Sequence, residues 1–148
     1  MIEPFNDNYF MKQALIEADI AFQEGEIPIG AIIVSEGHII GKGHNRTECL
    51  NDVTAHAEMQ AITAAAETLG GKYLNNCTLY VTVEPCSMCA GALGWSQISK
   101  VVYGTGDNKR GFTNISPKAL HPKTEITAGV LEEQCKEMMD HFFKTKRG

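Results

Sequence analysis

Two short segments of the chain contain the residue types and the spacing of a metal site. Cys86 and Cys89 are three residues apart, which places both sulfur atoms on one face of a predicted helix. His56 begins another predicted helix earlier in the chain. Two thiolates and one neutral imidazole are three ligands for a tetrahedral Zn²⁺ ion, and three protein ligands leave the fourth position to water. The pattern therefore predicts one catalytic Zn²⁺ per chain, held by His56, Cys86 and Cys89.

Glu58 follows His56 by two residues and supplies a second kind of chemistry. It is too close in sequence to bind the same ion easily, but a carboxylate beside a reactive water molecule can take and return protons. Zinc lowers the pKa of such a water molecule toward ~7. Together these groups suit hydrolytic attack on an aromatic carbon that carries an amino group, with Glu58 as the catalytic proton carrier and ammonia as the leaving group.

Other interpretations of the same residues are open from the sequence alone. The two cysteines could be a thioredoxin-like redox pair, although that interpretation assigns no function to the histidine and the glutamate. A closed structural zinc site would need a fourth ligand, for which the candidates are His38, His44, Cys49 and Cys77. A zinc-binding RNA module without catalytic activity is a further alternative. The cysteines outside the pair, Cys135 included, are otherwise expected to be small buried or half-buried thiols.

The first elements of the fold are predicted from periodicity and from turn residues. Apolar residues at helical spacing after Asn6-Asp7-Asn8 predict a helix that ends near Gly25. Short apolar runs at residues 31–34 and 38–40 flank Gly37 and predict a β-hairpin. A second helix begins near His56, and its buried face is predicted from steps of four and three to be Ala55, Met59, Ile62, Ala66 and Leu69.

The second half of the chain continues the alternation of strands and helices. Residues 78–83 are β-branched and aromatic and predict a strand that runs into Glu84-Pro85-Cys86. Residues 86–96 predict a buried helix, residues 101–103 a short strand and residues 104–122 an irregular segment. A final helix is predicted by the apolar stripe Leu131, Cys135, Met138, Met139 and Phe142. Strands alternating with helices imply an α/β sandwich, here with a mixed sheet.

Length and composition limit the class of protein further. The chain has 148 residues, of which 43% are hydrophobic and 21% charged, and this excludes a disordered tail or a collagen-like fibre. No apolar run approaches the roughly 20 residues of a membrane-spanning helix. An odd number of cysteines, five, argues against a disulfide framework. We expect a single cytoplasmic domain over residues 1–148, since the N-terminus lacks the pattern of a secretory signal.

Charge is distributed unevenly along the chain. The formal net charge of −5 argues against nonspecific binding of nucleic acid over the whole surface. Residues 1–53 carry nine acidic and three basic side chains, whereas residues 100–123 carry five basic side chains and a single acidic one, Asp107. The basic stretch is either an ordinary solvated loop or a footprint for a polyanion on one edge of an acidic molecule.

Several motifs resemble those of a known enzyme superfamily. His56-Ala-Glu58 followed by Pro85-Cys86-x-x-Cys89 resembles the signature of zinc-dependent nucleoside and nucleobase deaminases. Longer segments resemble the bacterial tRNA-specific adenosine deaminases, and they include Glu26-Ile-Pro-Ile-Gly-Ala31, Gly43-His-Asn45-Arg46 and Leu79-Tyr-Val-Thr-Val-Glu-Pro-Cys86. The resemblance extends from about Met11 to Phe143, which is nearly the whole chain.

The resemblance implies a fold, an activity and an assembly. The fold would be the three-layer α/β/α arrangement of cytidine deaminases, with a mixed and mainly five-stranded sheet. The activity would be the conversion of adenosine to inosine at the wobble position of a tRNA anticodon, carried out by a homodimer. A deaminase of a free base or nucleoside, such as guanine or cytosine, is the alternative because its chemistry would be the same.

Substrate contacts are also implied when the resemblance is carried over position by position. Asn45 would hydrogen-bond the purine ring, Pro28 and Ile29 would line the base pocket, and the backbone of Ala57 would lie near the reacting face. From its sequence context alone, Asn45 could instead belong to a turn at the end of a strand.

The basic stretch gains a function under the same resemblance. A target base in folded RNA must be splayed out of its stack, and contacts to neighbouring nucleotides hold it there. The candidates for these contacts to a tRNA anticodon stem-loop are Asp107, Lys109, Arg110 and Lys118. Phe112 could stack on a base or cover the core. The small apolar segment from Met88 to Trp95 could pack against a second copy of the chain, with Trp95 as an anchor.

Overall fold

The structure is a computed structural model that describes residues 5–147. Its elements in chain order are α1 (Asp7–Gln23), β1 (Gly30–Ser35), β2 (His38–His44), α2 (Ala57–Leu69), β3 (Cys77–Val83), α3 (Ser87–Ser96), β4 (Lys100–Thr105), α4 (Phe112–Ile115), β5 (Glu125–Ala128) and α5 (Glu132–Arg147). Within residues 5–147, none of the helices is both long and apolar enough to cross a bilayer.

The strands form one mixed sheet in the order β2-β1-β3-β4-β5. β1 pairs antiparallel with both β2 and β3, whereas β3 with β4 and β4 with β5 are parallel pairs. α1 and α5 cover one face of the sheet, and α2 and α3 cover the other. The predicted three-layer α/β/α fold with a mixed five-stranded sheet is thereby confirmed.

The central strands supply two hydrophobic cores at once. In β1, Ala31 and Ile33 pack on the side of α2 and α3, whereas Ile32 and Val34 pack on the side of α1 and α5. Successive side chains of a strand point to opposite faces, so a strand covered on both faces is apolar at every position. This burial explains the continuous apolar run that the sequence shows here.

Capping and turn residues begin or end several elements close to the positions that the sequence predicts. The side chain of Asn6 accepts a hydrogen bond from the backbone N–H of Tyr9 at 2.9 Å and begins α1. Glu36 and Gly37 both have positive φ and form the two-residue turn between β1 and β2, as a type I′ hairpin requires. Gly70, with a φ of +73°, ends α2.

The buried face of α2 differs from the predicted stripe. Its buried residues are Ala57, Glu58, Ala61 and Ala65. Leu69 of the predicted stripe is 44% exposed. The helix crosses β2 at Gly41 and Gly43, where a Cβ atom on either glycine would overlap the helix backbone. Such a close approach leaves room only for small side chains, so alanines form the contact and the larger apolar residues lie at its edge.

We expect Gly43→Ala to destabilise the fold by at least about 1–3 kcal/mol, the usual scale of overpacking. The added methyl group would overlap the carbonyl oxygen of Ala57. The free energy of unfolding from urea titration checks this expectation. Gly71→Ala is the matched control, because Gly71 is exposed and an added Cβ meets no described atom within 4 Å. Equal stabilities of the two variants would contradict the close helix–strand contact.

Two segments after β4 differ from the sequence prediction. Residues 104–122 were predicted to be irregular, but Phe112–Ile115 forms the short helix α4. Phe112 is 1% exposed and belongs to the core, so it is not available to stack on a base. The fifth strand implied by the resemblance has no position predicted from the sequence pattern, because most residues of β5 are exposed and show no apolar pattern.

Candidate active site

The N-termini of two helices meet at one point of the structure. His56 is the residue immediately before α2, and Cys86 is the residue immediately before α3. Cys89 follows in the first turn of α3 and is fully buried. One ligand atom from each of the three side chains lies within 4.8 Å of the others. The sheet thus joins segments that are thirty residues apart in sequence into one cluster.

The donor set of this cluster fits zinc. Nδ1 of His56 lies 3.6 Å from Sγ of Cys86 and 3.5 Å from Sγ of Cys89, so all three atoms face a common centre. Two sulfur atoms and one imidazole nitrogen are the ligands that tetrahedral Zn²⁺ prefers. Among residues 5–147, neither a histidine nor a cysteine nor an acidic residue joins these three as a fourth ligand. The arrangement is that of an open, catalytic zinc site.

The environment of the two cysteines favours a thiolate before any metal binds. Contact with Cys89 and with His56 lowers the pKa of Cys86 to about 4. Contact with Cys86, together with burial, raises the pKa of Cys89 above its usual value. Cys86 is therefore the thiolate, and the thiol of Cys89 and the imidazole of His56 stabilise its negative charge. Cys86 directly precedes α3, where the unpaired N–H groups and the helix dipole also favour negative charge.

Glu58 lies beside the cluster in the first turn of α2. It is only 4% exposed, and its burial raises the pKa of the carboxyl group to about 7. Its side chain borders the same cavity as His56 and Cys86. A buried carboxyl group that opens onto a cavity next to a metal site can exchange protons with whatever occupies that cavity.

The cavity has a volume of about 780 Å³ and brings together most of the predicted substrate residues. Its lining includes Ile29, Asn45, Ala57, Asp107 and Lys109. Pro28, predicted to line the base pocket, is buried and does not line the cavity, although its neighbour Ile29 does. Arg110 lines the cavity as well, whereas Lys118 is exposed and is not part of the lining.

Asn45 lies at the end of a strand and also lines the cavity. It directly follows β2, and its backbone N–H donates to the carbonyl oxygen of Ile29 at 3.0 Å. Its side-chain amide donates to the carbonyl oxygen of Ile27 and accepts from the N–H of Thr47, both at 3.3 Å. A carboxamide has two donor hydrogens and two acceptor lone pairs. Asn45 therefore keeps one donor and one acceptor for a ligand in the cavity.

One wall of the cavity was not predicted from the sequence. It is formed by α5, which contributes Lys136, Met139, Asp140 and Phe143. These positions follow one another at steps of three, one and three residues, so they share one face of the helix. The apolar stripe predicted for α5 included Met139, and the same spacing could have indicated that this face borders a site.

A buried carboxylate supports the wall around Asn45. Glu26 is 2% exposed, and its two oxygens accept hydrogen bonds from the backbone N–H groups of Glu48 at 3.1 Å and Cys49 at 2.7 Å. These bonds hold the segment after Asn45, including Thr47 of the cavity lining. The sequence gives no signal for this role of Glu26, because its partners lie more than twenty positions away and form no local pattern with it.

The three cysteines outside the metal cluster differ in exposure. Cys49 is exposed, contrary to the prediction, whereas Cys77 and Cys135 are buried as predicted. Burial raises the pKa of Cys77 above its usual value and that of Cys135 to about 12, so both remain protonated and unreactive near neutral pH.

We expect Cys49 alone to react rapidly with DTNB in the zinc-loaded protein, because the other described thiols are buried or bind the metal. Chelation of zinc should add Cys86, whose low pKa makes it a thiolate. Mass spectrometry after labelling with iodoacetamide identifies the modified residues. Rapid labelling of Cys86 before chelation would contradict its role as a ligand.

The fold and the site define a class of enzyme. A three-layer α/β/α sheet with a histidine and two cysteines at neighbouring helix N-termini, and a buried glutamate beside them, is the arrangement of a zinc-dependent deaminase. Comparison with known proteins agrees. The family model for the cytidine and deoxycytidylate deaminase zinc-binding region matches residues 4–105, which is more than half of the chain.

Individual relatives narrow the class. The chain is 48% identical over 144 residues to a tRNA-specific adenosine deaminase of Aquifex aeolicus, covering 94% of this chain and 95% of that one. A solved structure from a study of A-to-I editing by tRNA:A34 deaminases matches with a TM-score of 0.82 and 40% identity, covering 88% of this chain and 98% of that one. A guanine deaminase from Bacillus subtilis matches with a TM-score of 0.66 and 37% identity, covering 78% and 71%. The chain belongs to the cytidine and deoxycytidylate deaminase family and, within it, to the tRNA-specific adenosine deaminases.

Proposed function

We propose that the chain acts as one deaminase domain over residues 1–148 and converts the wobble adenosine of a tRNA anticodon to inosine. The observation that carries the proposal is that Glu58 and two residues of the metal cluster, His56 and Cys86, line a cavity that Lys109 and Arg110 also line. In such a cavity, the metal ligands and Glu58 can carry out hydrolytic deamination while the two basic side chains bind the phosphate groups of the substrate. The names of the relatives support the same substrate.

The chemistry depends on a proton carrier beside the metal. Zinc held by His56, Cys86 and Cys89 supplies a Lewis acid that lowers the pKa of a water molecule. Glu58 takes the proton that the attacking water loses and delivers it to N1 of the purine as the oxygen bonds to C6. Glu58 then carries the hydroxyl proton to the amino group, and the C–N bond breaks. Adenosine and water give inosine and ammonia, and Glu58 ends in its starting state.

The target base is held by groups at the inner part of the cavity. Asn45 offers its free donor and acceptor to the purine ring, and Ile29 presents an apolar wall to the face of the ring. Pro28 is buried and precedes Ile29 in the chain, and Ala57 lines the cavity between the metal ligand His56 and Glu58 in sequence. A planar base lying between these groups would have its amino-bearing carbon directed toward the cluster.

The outer part of the cavity suits the nucleotides that flank the target base. The volume of about 780 Å³ lies in the range of pockets that hold drug-sized ligands, ~300–1,000 Å³, and such ligands are larger than a single planar base. Lys109, Arg110 and Lys136 place positive charge in its lining, where they lie among acidic residues such as Asp107 and Asp140. A few cations at one cavity of an acidic protein favour phosphate contacts of a folded RNA there over nonspecific coating of the whole surface. An anticodon stem-loop presents an unpaired base and its phosphates together.

Product analysis separates this function from its nearest alternative. The zinc-loaded protein is incubated with an anticodon stem-loop that carries adenosine at the wobble position, and separately with free adenosine, guanine and cytosine. Inosine in the stem-loop, with no ammonia from the free compounds, is the expected result. A stem-loop with guanosine at the wobble position is the matched control and should release no ammonia. Ammonia from guanine without inosine in RNA would instead make the chain a free-base deaminase.

We also propose that two copies of the chain associate through α3. Trp95 is 86% exposed, and Met88, seven residues earlier on the same face, is exposed as well. Large apolar side chains of this kind act as anchors of interfaces. Light scattering should give twice the mass of one chain, and Trp95→Ser should lower it, whereas Tyr73→Ser at another exposed aromatic residue should not. A monomeric mass for the unsubstituted protein would contradict the dimer. The cytoplasmic location stays a prediction.

A further inference from the structure

Glu84 is a buried carboxylate at the edge of the active site, next to the end of β3 and two residues before Cys86. Its Oε1 accepts a hydrogen bond from the backbone N–H of Asp107 at 3.0 Å. Its Oε2 accepts from the backbone N–H of Thr113 at 3.0 Å and from the hydroxyl group of Thr113 at 2.6 Å. The two oxygens of one side chain therefore bind close to both ends of residues 106–113, called here the 106–113 loop, whose last two residues begin α4.

The 106–113 loop lies directly against this carboxylate. A Cβ atom on Gly111 would overlap the carboxyl group of Glu84, so only glycine permits the approach. The loop is also tied to the segment that begins α3, because the N–H of Phe112 donates to the carbonyl oxygen of Pro85 at 2.9 Å. Gly111 forms a β-bridge with Cys86. The hydrogen bonds of Glu84 and Pro85 to the loop, together with the bridge between Gly111 and Cys86, thus form one frame that connects the loop to a metal ligand.

The same loop carries the groups proposed to contact RNA. Asp107 accepts hydrogen bonds through Oδ1 from the backbone N–H groups of Lys109 at 2.9 Å and Arg110 at 3.0 Å, which makes a tight turn. The side chains of Lys109 and Arg110 are exposed and line the cavity. Since packing does not hold these side chains, the course of the backbone decides where their charges lie. Glu84 fixes that course at Asp107 and at Thr113.

We infer that Glu84 is a positioning residue, which sets the 106–113 loop and thereby the RNA-binding edge of the cavity. This inference rests on the proposed function for its substrate, but the ordering of the loop can be measured without any substrate. A carboxylate suits the position because all three of its partners are donors and it is an acceptor at both oxygens. An amide would turn its NH₂ group toward one of these donors, so Glu84→Gln keeps the shape and breaks one end of the frame.

The test measures the loop and the kinetics separately. Hydrogen–deuterium exchange of the zinc-loaded protein reports the N–H groups of Asp107 and Thr113, and steady-state kinetics with the anticodon stem-loop reports KM and kcat. Thr113→Val removes one bond to Glu84 from the loop side without touching the segment that precedes Cys86. Thr113→Ser retains the hydroxyl group. Thr124→Val is the matched control, since Thr124 donates through its hydroxyl group to Ile98 at 2.8 Å, away from the cavity lining.

In Glu84→Gln we expect exchange in the 106–113 loop and the KM for the stem-loop each to rise at least about tenfold, with kcat and zinc content little changed. Thr113→Val should give a smaller change in the same direction, and Thr113→Ser and Thr124→Val should match the unsubstituted protein. If Glu84→Gln loses zinc or unfolds, Thr113→Val decides by the same measurements.

Two results would overturn the inference. The first is unchanged exchange in the loop of both Glu84→Gln and Thr113→Val. The second is a raised KM in Glu84→Gln together with unchanged values in Thr113→Val, because Glu84 would then act by touching the RNA itself. If the unsubstituted protein does not deaminate the stem-loop, the proposed function fails, while the exchange measurements still decide whether Glu84 orders the loop.

Discussion

Glu58→Gln is expected to slow inosine formation by at least about 10²–10⁴-fold, the contribution of a general acid–base group. The amide has nearly the shape of the carboxyl group but cannot take a proton from water and return it to the purine. Glu58 is buried against the metal cluster without being one of its ligands, so the zinc content should stay at one ion per chain. Single-turnover rates and elemental analysis of the same preparation measure the two quantities.

Glu67→Gln is the matched control for this substitution. Glu67 lies on the same helix, α2, but is exposed near its C-terminal end, so the same chemical change there should leave the rate and the zinc content unaltered. Retained turnover in Glu58→Gln would remove Glu58 from the mechanism. RNA binding with no turnover even in the unsubstituted protein would favour a noncatalytic zinc-binding RNA module, the alternative that the sequence left open.

Cys89→Ser is expected to abolish both zinc binding and activity. A hydroxyl group does not ionise near neutral pH as a thiol bound to zinc does, so the ion would keep one sulfur and one nitrogen ligand from the chain. Loss of an outer partner of a metal ligand already costs about 10–100-fold in affinity, and loss of a ligand itself should cost more. Elemental analysis after dialysis, and competition with a chromogenic chelator, measure the occupancy and the affinity.

Cys77→Ser provides the comparison at a buried cysteine outside the cluster. Sγ of Cys77 lies 3.5 Å from the carbonyl oxygen of Asn75, which a serine hydroxyl group can use as its acceptor. We therefore expect Cys77→Ser to fold and to retain one zinc ion per chain. Stoichiometric zinc in Cys89→Ser would contradict the assignment of the ligands. Zinc-free protein that cycles between thiols and a disulfide at Cys86 and Cys89 would favour the redox alternative.

The chemical identity of the site could be predicted because it depends on residue types at short spacing. Cys86 and Cys89 belong to one helical turn, and His56 and Glu58 to the start of another, so local sequence already determines which groups lie together within each pair. The start of α1, the end of α2 and the turn between β1 and β2 were predictable for the same reason. Asn6, Gly37 and Gly70 act on the backbone within a few residues of their own positions.

Tertiary structure alone decided what surrounds that chemistry. The close contact of α2 with Gly41 and Gly43 buries a helix face of small residues, mainly alanines. The predicted stripe contains larger and more hydrophobic side chains, but they do not fit this contact. The fifth strand gained its place by pairing with β4 despite its exposed residues. In both cases the stabilising contacts come from a distant segment, so the burial of a side chain could not be read from its own neighbours.

The same reason applies to the residues that shape the cavity. Sequence alone determined that this protein has two thiols, an imidazole and a neighbouring carboxyl group in the pattern of zinc-dependent deaminases. It did not reveal that α5 would form a wall of the cavity, nor that Glu26 and Glu84 would hold the loops on which Asn45 and Lys109 depend. Local patterns record which groups a short segment carries. The hydrogen-bond partners of Glu26 and of Glu84 lie more than twenty residues away in sequence, and only the folded chain brings them together.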